Sequence, residues 1–432
     1  MGGELDVQRK DLLAVCGQVR KGNAADGVGD FGDSGLGAPA LVASPGSTDE
    51  AAAVLRVAAE HELAVVVRGG GSRLGWGVPP SRCDLMIDMS GMSAVVEHAA
   101  GDLVARVQAG ARMGDVAAAL ARAGQEIALD VPAGATVGGV VGSGLAGPRR
   151  LRYGTPRDLL IGITIVRADG TVAKSGGKVV KNVAGYDLGK LFAGSAGTLG
   201  LITEAIFRLH PLPAARAWVT AEYVAVSVAC DAVAAAANST LVASAVELSR
   251  AKPGGPVRVG VLIEGSADGV AARATRMATL LGPAELGGGS VTAEAPDWWP
   301  GAPAAGPGET LVQVSFWVSA LGRVLDALDA AAGAAGVSPE VSGSAGAGVL
   351  YARIGQDAGA HAAAEFVAAL RAGLAGERGG VTVLTASQAV REALAERGGI
   401  YPAVPGLALM RSVKDQFDPG HRMAPGRFPE RV

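Results

Sequence analysis

The sequence is poor in cysteine and in charge, and each shortage excludes a class of protein. Its three cysteines, Cys16, Cys83 and Cys230, are too far apart for a C-x-x-C site and too few for an iron–sulfur cluster held by four thiolates. Reduced thiols in a cytosolic chain are therefore expected. The formal net charge is −3 and no long run of Lys or Arg occurs. The basic surface that nucleic-acid binding requires is missing, so nucleic acid is excluded as a partner.

Long apolar runs are missing as well. No window approaches the ~18 consecutive apolar residues that a membrane-spanning helix requires. The first residues, MGGELDVQRKDLLAVCG, include acidic side chains and no apolar stretch of signal-peptide length. The sequence therefore predicts a cytoplasmic chain, peripheral at the inner membrane only through partners.

Small apolar residues and glycine are abundant instead. Apolar residues make up 49% of the 432 residues, enough for a sizeable core, and this length predicts two or three domains. An S-x-x-E capping box at Ser47 predicts a helix to about Ala59. Two strands around Ala168-Asp169-Gly170 predict a hairpin. After the prolines at 211 and 213, strands alternate with Ala-rich helices, as in an α+β domain with one antiparallel sheet.

Three glycine-rich segments are candidates for binding a ligand. RGGGSRLGWG, from Arg68 to Gly77, follows a predicted strand, and glycine lets successive backbone N–H groups converge on a pyrophosphate. An ordinary tight turn is the alternative. GSGLAG at 142–147 matches G-x-G-x-x-G, but Pro148 follows at once where a dinucleotide-binding fold requires a helix, so NAD binding through this motif is rejected. Gly185–Lys190 resembles a phosphate-binding loop but has one residue too few between its glycines.

Four segments in a fixed order carry a family resemblance. They are VVRGGGSRLGWG, VPAGATVGGVVGSGLAGPRRLRYGTPRDLLIGITIVRADGTV, KVVKNVAGYDLGKLFAGSAGTLGLITEAIFRLHPLP and FDPGHRMAPGRF. The sequence resembles the vanillyl-alcohol oxidase/p-cresol methylhydroxylase family of FAD-binding flavoproteins over 38–213 and 406–432. Within that family, GSAGTLG and VKNVAGYDL are most similar to the FAD-binding subunits of bacterial glycolate oxidases.

The resemblance implies an α+β fold: a two-lobed vanillyl-alcohol oxidase-type FAD-binding domain plus a smaller α+β cap domain with an antiparallel sheet. The implied divisions are an N-terminal segment at 1–37, the FAD-binding domain at 38–213, the cap or substrate domain at 214–405 and a C-terminal return at 406–432. Members with covalent flavin carry His where Ser72 stands, so non-covalent FAD is expected.

The resemblance also assigns site residues. The first loop would hold the pyrophosphate, Thr136 and Gly138 would contact the isoalloxazine and ribityl chain, and Arg427 would lie near the flavin. The implied cofactor-binding residues are Arg68, Gly69, Gly70, Gly71, Ser72, Arg73, Leu74, Gly75, Pro132, Ala133, Thr136, Val137, Gly138, Gly139, Gly142, Ser143, Gly144, Tyr153, Gly154, Gly200, Ile202 and Arg427.

The sequence also departs from the family pattern. The common glutamate of GSEGTLG is Ala196, and the usual Asn before Pro-Gly near the C-terminus is Ala424. The metal-binding His-x-Gly-Asp-Gly-Asn-x-His segment of related D-2-hydroxyacid dehydrogenases does not occur, and the cap contains only His361. Because a divalent metal needs several convergent ligands, no metal site is expected.

No catalytic residue is assigned from the sequence. Hydride transfer from a hydroxy acid needs a base for the hydroxyl proton and a cation for the carboxylate. Lys178, Lys181 and Asn182 either approach the flavin or fix their loop. Tyr351 and Arg353 alternate on a predicted strand and either point into one cleft or lie on a packed sheet face.

Two further features have mainly structural interpretations. His210 lies beside prolines and is expected to be structural. The pair Trp298-Trp299 lies in a Gly/Pro-rich loop. Its rings either contact a partner protein or pack within the loop.

Two functions remain open. The first is an FAD-binding subunit of a glycolate oxidase-like complex, beside a second FAD-containing catalytic subunit and an iron–sulfur subunit, in the oxidation of glycolate to glyoxylate. The second is a self-sufficient FAD-dependent D-2-hydroxyacid dehydrogenase or oxidase of D-lactate type. A scaffold that has lost FAD fits the intact glycine loops least well.

Overall fold

The computed structural model describes residues 2–23, 26, 37–178, 187–282 and 289–431. They form two compact units. The first comprises Met1–Leu145, Thr155–Leu212 and Val404–Val432, and the second comprises Ala146–Gly154 and Pro213–Ala403. Within the described ranges, no helix has both the length and the apolarity needed to cross a membrane.

Helices and strands are interspersed along the described residues. In chain order, the helices are α1 (Gly2–Val15), α2 (Thr48–Glu60), α3 (Met113–Ala121), α4 (Val137–Ser143), α5 (Arg150–Tyr153), α6 (Pro156–Leu159), α7 (Val226–Ala237), α8 (Ala267–Leu280), α9 (Leu321–Ala335), α10 (Ala360–Gly373), α11 (Gln388–Ala395) and α12 (Leu407–Phe417). The strands are β1 (Val19–Lys21), β2 (Leu41–Ala43), β3 (Val65–Arg68), β4 (Leu85–Asp88), β5 (Val95–Ala99), β6 (Val104–Gln108), β7 (Gln125–Glu126), β8 (Leu160–Val166), β9 (Val172–Gly176), β10 (Leu201–Arg208), β11 (His210–Pro211), β12 (Ala215–Tyr223), β13 (Ala245–Arg250), β14 (Val257–Gly265), β15 (Ser290–Thr292), β16 (Thr310–Phe316), β17 (Glu340–Gly343), β18 (Val349–Ile354) and β19 (Gly379–Thr385).

The first unit contains two main sheets. One has the order β1-β2-β4-β3, in which β2, β4 and β3 are parallel, and the other has the antiparallel order β5-β6-β10-β8-β9. A two-stranded ladder joins β7 and β11. The short parallel strands are nearly all apolar because both of their faces are buried. Side chains from both main sheets, α2 and α4 form one hydrophobic core.

Local sequence signals account for several of these elements. Ser47 is the N-cap of α2 and accepts a hydrogen bond from the Glu50 N–H at 3.1 Å. The Glu50 carboxylate reaches one residue further back than a capping box predicts, to the N–H of Gly46. The hairpin prediction is confirmed, because β8 pairs with β9 around 167–171.

Helix α4 is an element that the sequence analysis missed. Three of its seven residues are glycine, which lowers helix propensity, but Thr136 caps its start and Gly144 ends it with a φ of +65°. The G-x-G-x-x-G match therefore begins where a helix ends, at Gly142. A dinucleotide fingerprint needs those glycines before a helix, so rejecting NAD at this segment agrees with the structure.

The second unit is built on one antiparallel sheet of eight strands, in the order β15-β12-β14-β13-β17-β18-β16-β19. Register gives this sheet two different faces, because residues paired across strands point to the same side. One row across seven strands is apolar or glycine: Ala221, Val259, Leu248, Gly343, Leu350, Val314 and Val381. Helices α7, α8 and α10 pack against the sheet. The next row is polar: Glu222, Arg258, Ser249, Ser342, Tyr351, Gln313 and Thr382.

Two stretches belong to other units than the sequence analysis assigned. Residues 146–154 lie inside the predicted FAD-binding domain, but they cluster with the second unit because α5 packs against β13. The described part of residues 1–37 clusters with the first unit, where α1 packs against α2 and β1 pairs with β2.

The three thiols lie in environments that suppress their reactivity. Burial raises the pKa of Cys83 from its ordinary 9.0 to about 12 and that of Cys230 to about 11, and it also raises the pKa of Cys16. The thiolate is the reactive form, so at about pH 8 its fraction at Cys83 is roughly a thousandfold smaller than in an exposed thiol. We expect a disulfide reagent to modify the native chain at least ~100-fold more slowly than the guanidinium-unfolded chain. Equally fast modification of both would contradict this prediction.

Candidate functional site

The first glycine loop follows β3 directly and offers unpaired backbone donors. Its turn is made by Gly71, with a φ of +77°, and it is anchored by the buried side chain of Leu74, whose N–H donates to the Gly71 carbonyl oxygen. Among the described residues, none accepts a hydrogen bond from the backbone N–H groups of Gly70, Gly71 or Ser72. Several N–H groups from consecutive residues form a concave site suited to an anion.

The second predicted segment lies against this loop. A Cβ atom on Gly69 would lie 2.1 Å from the Thr136 Oγ1 atom, and one on Gly70 would lie 2.7 Å from the Gly134 carbonyl oxygen. Both distances are far inside van der Waals contact. Glycine is therefore required at 69 and 70 for the two segments to meet.

The residues around the start of α4 have structural roles that the resemblance does not specify. The Thr136 hydroxyl accepts the Gly139 N–H at 3.3 Å, and Val137 is buried in the core. A Cβ atom on Gly138 would lie 2.9 Å from the Cβ atom of Ala109, which follows β6. Glycine at 138 therefore allows α4 to pack closely against the end of β6. Pro132 and Ala133 are exposed beside them.

The end of α4 is joined to the GSAGTLG segment. The Gly194 N–H donates to the Val141 carbonyl oxygen at 2.9 Å, and the Ala196 N–H donates to that of Gly142 at 2.7 Å. Ser143 turns its hydroxyl back to the Gly139 carbonyl oxygen. Gly142 is buried, yet apart from its chain neighbours and the backbone of α4 no described atom lies within 4 Å of where its Cβ would stand, so space remains on that side.

Gly200 and Ile202 lie at the start of β10. Gly200 has a φ of +154°, and a Cβ there would lie 2.8 Å from the Val166 carbonyl oxygen. Ile202 is buried and pairs with Ile165 of β8. Packing against β8 therefore explains why glycine occurs at 200 and isoleucine at 202.

Arg427 holds the first glycine loop in place. Its side chain is 5% exposed, and Nη2 donates to the carbonyl oxygens of Arg73 at 3.0 Å and Trp76 at 3.2 Å. The preceding residues 422–424 run beside β3, where the N–H of Val65 donates to the Arg422 carbonyl oxygen. The resemblance places Arg427 near the flavin, and the structure shows it bound to the predicted pyrophosphate loop.

Removing that clamp should weaken FAD binding. In Arg427→Met, two charge-assisted hydrogen bonds to the loop are lost, so we expect the dissociation constant for FAD to rise at least ~10-fold. Arg411→Met is the matched control, because the one ion pair of Arg411 among the described residues is its exposed pair with Glu430. Flavin fluorescence titration of the apoproteins measures both constants. Equal affinity in the two variants would contradict the clamping role.

The two arginines of the first loop differ in their partners. Arg68 donates to Asp88 at 2.7 Å and to Asp26 at 3.4 Å. The pKa of Asp26 falls to about 2, chiefly through its hydrogen bond from Arg20. Arg73 stacks over Trp76, with 4.8 Å from its guanidinium carbon to the ring centre, and burial lowers its pKa. Its buried Nε has no partner among the described residues.

The remaining candidates separate in the structure. Tyr153 donates to Glu264 at 3.3 Å, and Gly154 ends α5; both belong to the second unit. Lys178 forms an exposed ion pair with Glu97, whereas Lys181 and Asn182 lie outside the described residues.

The cap candidates are also separated. Tyr351 accepts a hydrogen bond from Arg150, and Arg353 pairs with Glu340. His210 lies on β11 opposite Glu126, and His361 is exposed on α10.

The tryptophan pair packs within its own unit. Gly260 lies on the polar face of the eight-stranded sheet, and a Cβ there would lie 2.8 Å from both Trp298 and Trp299. The Trp299 ring also meets that of Trp218 edge-on, with 6.3 Å between centroids. Of the two interpretations given above, these contacts favour loop packing.

The described residues fit an FAD molecule. Unpaired N–H groups in the first loop suit a pyrophosphate, the buried Arg73 Nε is one further donor, and the space beside Gly142 admits a ligand close to the backbone. Glycine at 69 and 70 lets the two segments meet around this site. No three His, Cys, Asp or Glu side chains of the described part of the chain lie close enough together to hold a metal ion.

Comparison with known proteins identifies the domain and the fold. A protein-family model described as an FAD binding domain matches residues 39–176, so FAD is the cofactor of this domain. The structure of p-cresol methylhydroxylase with bound substrate superposes with a TM-score of 0.73 and 16% identity, covering 99% of this chain and 97% of that one. The fold is that of the vanillyl-alcohol oxidase/p-cresol methylhydroxylase type, as the sequence predicted.

Curated relatives match only part of the chain. Glycolate oxidase subunit GlcD of Bacillus subtilis is 36% identical over 197 residues, 45% of this chain and 42% of that protein. D-lactate dehydrogenase [cytochrome] 1, mitochondrial, of Saccharomyces cerevisiae is 35% identical over 205 residues, 47% of this chain and 34% of that protein. Glycolate oxidase subunit GlcE of Escherichia coli is 37% identical over 154 residues, 35% of this chain and 43% of that protein. The matches span about two fifths of these relatives' length.

Proposed function

We propose that this chain, which contains an FAD-binding domain and has the vanillyl-alcohol oxidase/p-cresol methylhydroxylase type of fold, is an FAD-dependent oxidoreductase for small 2-hydroxy acids. More specifically, it would serve as the FAD-binding subunit of a glycolate oxidase-like complex that converts glycolate to glyoxylate. The observation that carries the proposal is the pair of glycine segments that meet at Gly69 and Thr136 and present unpaired N–H groups.

The chain's own residues would hold the cofactor without a covalent bond. The N–H groups of Gly70, Gly71 and Ser72 would bind the pyrophosphate, with Arg73 as an additional donor. Arg427 would keep that loop in its binding conformation. When bound, FAD would supply the hydride acceptor for oxidation of the carbon that bears the substrate hydroxyl.

A further set of residues would complete the cofactor site. Gly142, Ser143 and Gly144 would approach the diphosphate, Gly200 and Ile202 the adenine, and Thr136 and Gly138 the ribityl chain. Tyr153 and Gly154 stay within this proposal as part of the motif that carries the resemblance. All of these assignments follow the motif positions given in the sequence analysis.

Two of the matched relatives are named as subunits of glycolate oxidase, which supports a complex. We propose a second FAD-containing catalytic subunit and an iron–sulfur subunit as partners, with any membrane association peripheral and through them. The alternative is a self-sufficient D-lactate-type dehydrogenase or oxidase, and the identity with a mitochondrial D-lactate dehydrogenase supports it.

Anaerobic reduction distinguishes the two proposals. The purified chain is loaded with FAD, mixed with glycolate or D-lactate without oxygen, and its visible flavin band is followed with and without the candidate partner subunits. Bleaching only in the presence of partners supports the complex, and bleaching of the chain alone supports the self-sufficient enzyme. A flavin that stays oxidised under both conditions contradicts both.

A further inference from the structure

A second group of hydrogen-bond donors lies in the second unit, around the polar face of its eight-stranded sheet. Tyr351 of β18 is at the centre of this face, with Ser342 opposite it on β17 and Gln313 opposite it on β16. The Ser342 and Gln313 side chains are partly exposed, whereas Tyr351 is only 9% exposed. Ser342 and Gln313 are therefore accessible on either side of a buried tyrosine.

Helix α5 brings an arginine to this tyrosine. Arg150 donates through Nε to the Gly147 carbonyl oxygen at 3.3 Å, and through Nη2 to the Ala146 carbonyl oxygen and to the Tyr351 hydroxyl oxygen at 3.0 Å. These bonds fix the guanidinium plane. Its Nη1 group keeps two N–H donors that no described residue accepts, and Arg150 forms no ion pair within the described ranges.

The tyrosine supplies another donor. Its hydroxyl oxygen accepts from Arg150, and no acceptor for its own proton occurs among the residues that the structure describes. Burial raises the pKa of Tyr351, so the hydroxyl keeps its proton at neutral pH. Arg150 and Tyr351 thus present donors only, one of them charged.

Helix α5 itself is held by a buried carboxylate. Glu264 is 1% exposed; it accepts the Tyr153 hydroxyl at 3.3 Å and lies 3.5 Å from the Arg149 Nη1 atom. Arg152 donates to the Ser244 hydroxyl at 3.3 Å. The second unit thus fixes three residues around Arg150, namely Arg149, Arg152 and Tyr153. The position of Arg150 is therefore set before any ligand binds.

We propose that Arg150 and Tyr351 form a carboxylate-binding site and take the carboxylate of the 2-hydroxy acid. The Nε proton and both Nη2 protons of Arg150 are already donated, so an Nη1 N–H and the neighbouring Tyr351 O–H are the donors that remain. These two donors, one of them charged, suit the two oxygens of a single carboxylate. The assignment to a 2-hydroxy acid rests on the proposed function, whereas the preference for a small carboxylate rests on the donors alone.

The test is a titration of the FAD-loaded chain with glycolate and with D-lactate, followed by calorimetry and by the flavin spectrum. Arg150→Gln removes the charge, Arg150→Lys keeps the charge without the planar edge, and Tyr351→Phe removes the hydroxyl. Arg258→Gln is the matched control, because Arg258 lies in the same polar row and forms a partly exposed pair with Glu222. Flavin content and thermal unfolding verify that each variant is folded.

We expect the dissociation constant of the carboxylate to rise at least ~30-fold in Arg150→Gln and ~5-fold or more in Tyr351→Phe, with Arg150→Lys between them and the control unchanged. Unchanged binding in Arg150→Gln, or no binding by the wild-type chain, overturns the site. Failure of the proposed function looks different: the wild-type chain binds glycolate through Arg150, but its flavin is never reduced, even with partners.

Discussion

Replacement of Gly69 by alanine is expected to remove FAD from the purified chain while leaving it folded. The added Cβ would lie 2.1 Å from the Thr136 Oγ1 atom, so the first loop and the start of α4 must move apart. Main-chain donors of the first loop then no longer converge on one pyrophosphate. We expect the dissociation constant for FAD to rise at least ~100-fold, on the scale of several lost charge-assisted hydrogen bonds. Fluorescence titration of the apoprotein measures it.

The matched control is Gly101→Ala, because beyond the adjoining backbone none of the described atoms lies within 4 Å of the Cβ that this change adds. The double variant Gly69→Ala with Thr136→Ala removes the hydroxyl with which the new methyl group collides, so part of the FAD affinity should return. Normal affinity in Gly69→Ala, or no recovery in the double variant, would count against the contact as the cause.

Replacement of Lys414 by methionine is expected to have the largest effect on stability. The Lys414 Nζ atom donates to Asp418 at 2.7 Å and to the carbonyl oxygens of Thr198 at 2.7 Å and Met423 at 2.9 Å. Asp418 is 0% exposed, and it also accepts the N–H groups of Arg422 and Met423. Burial lowers the pKa of Lys414, against the opposing effect of Asp418.

Removing the lysine leaves a buried carboxylate without its cation, which costs about 3–5 kcal/mol of unfolding free energy. Urea unfolding, followed by circular dichroism, measures the loss. Lys178→Met is the control, because solvent screens the exposed pair of Lys178 with Glu97 and the pair adds little to stability. If both variants unfold at the same urea concentration, Lys414 does not hold the C-terminal segment to the GSAGTLG segment.

The sequence alone predicted those elements that neighbouring residues determine. The hairpin around Asp169, the start of α2 at Ser47 and the antiparallel sheet of the second unit follow from turn residues, caps and alternation. Helix α4 was missed because its three glycines have low helix propensity. Its two caps and the burial of Val137, Val140 and Val141 stabilise it instead.

The site was predictable only in its glycine segments. That Gly69 meets Thr136 follows from the folded structure and from no local pattern. Arg427 lies 354 residues from the Arg73 carbonyl that it binds, and Arg150 lies 201 residues from Tyr351. No spacing rule connects side chains so distant in sequence. The grouping of residues 146–154 with the second unit could not be predicted either, because only tertiary contacts define that grouping.

The FAD stoichiometry of the purified chain tests most directly whether the paired glycine segments form the cofactor site. The chain is stripped of ligand, titrated with FAD, and then denatured with acid to see whether the flavin is released. We expect one FAD bound per chain, full release on denaturation, and loss of binding in Gly69→Ala. A chain that takes up no FAD, or that binds it equally well in Gly69→Ala, would contradict the assignment of the paired glycine segments as the cofactor site.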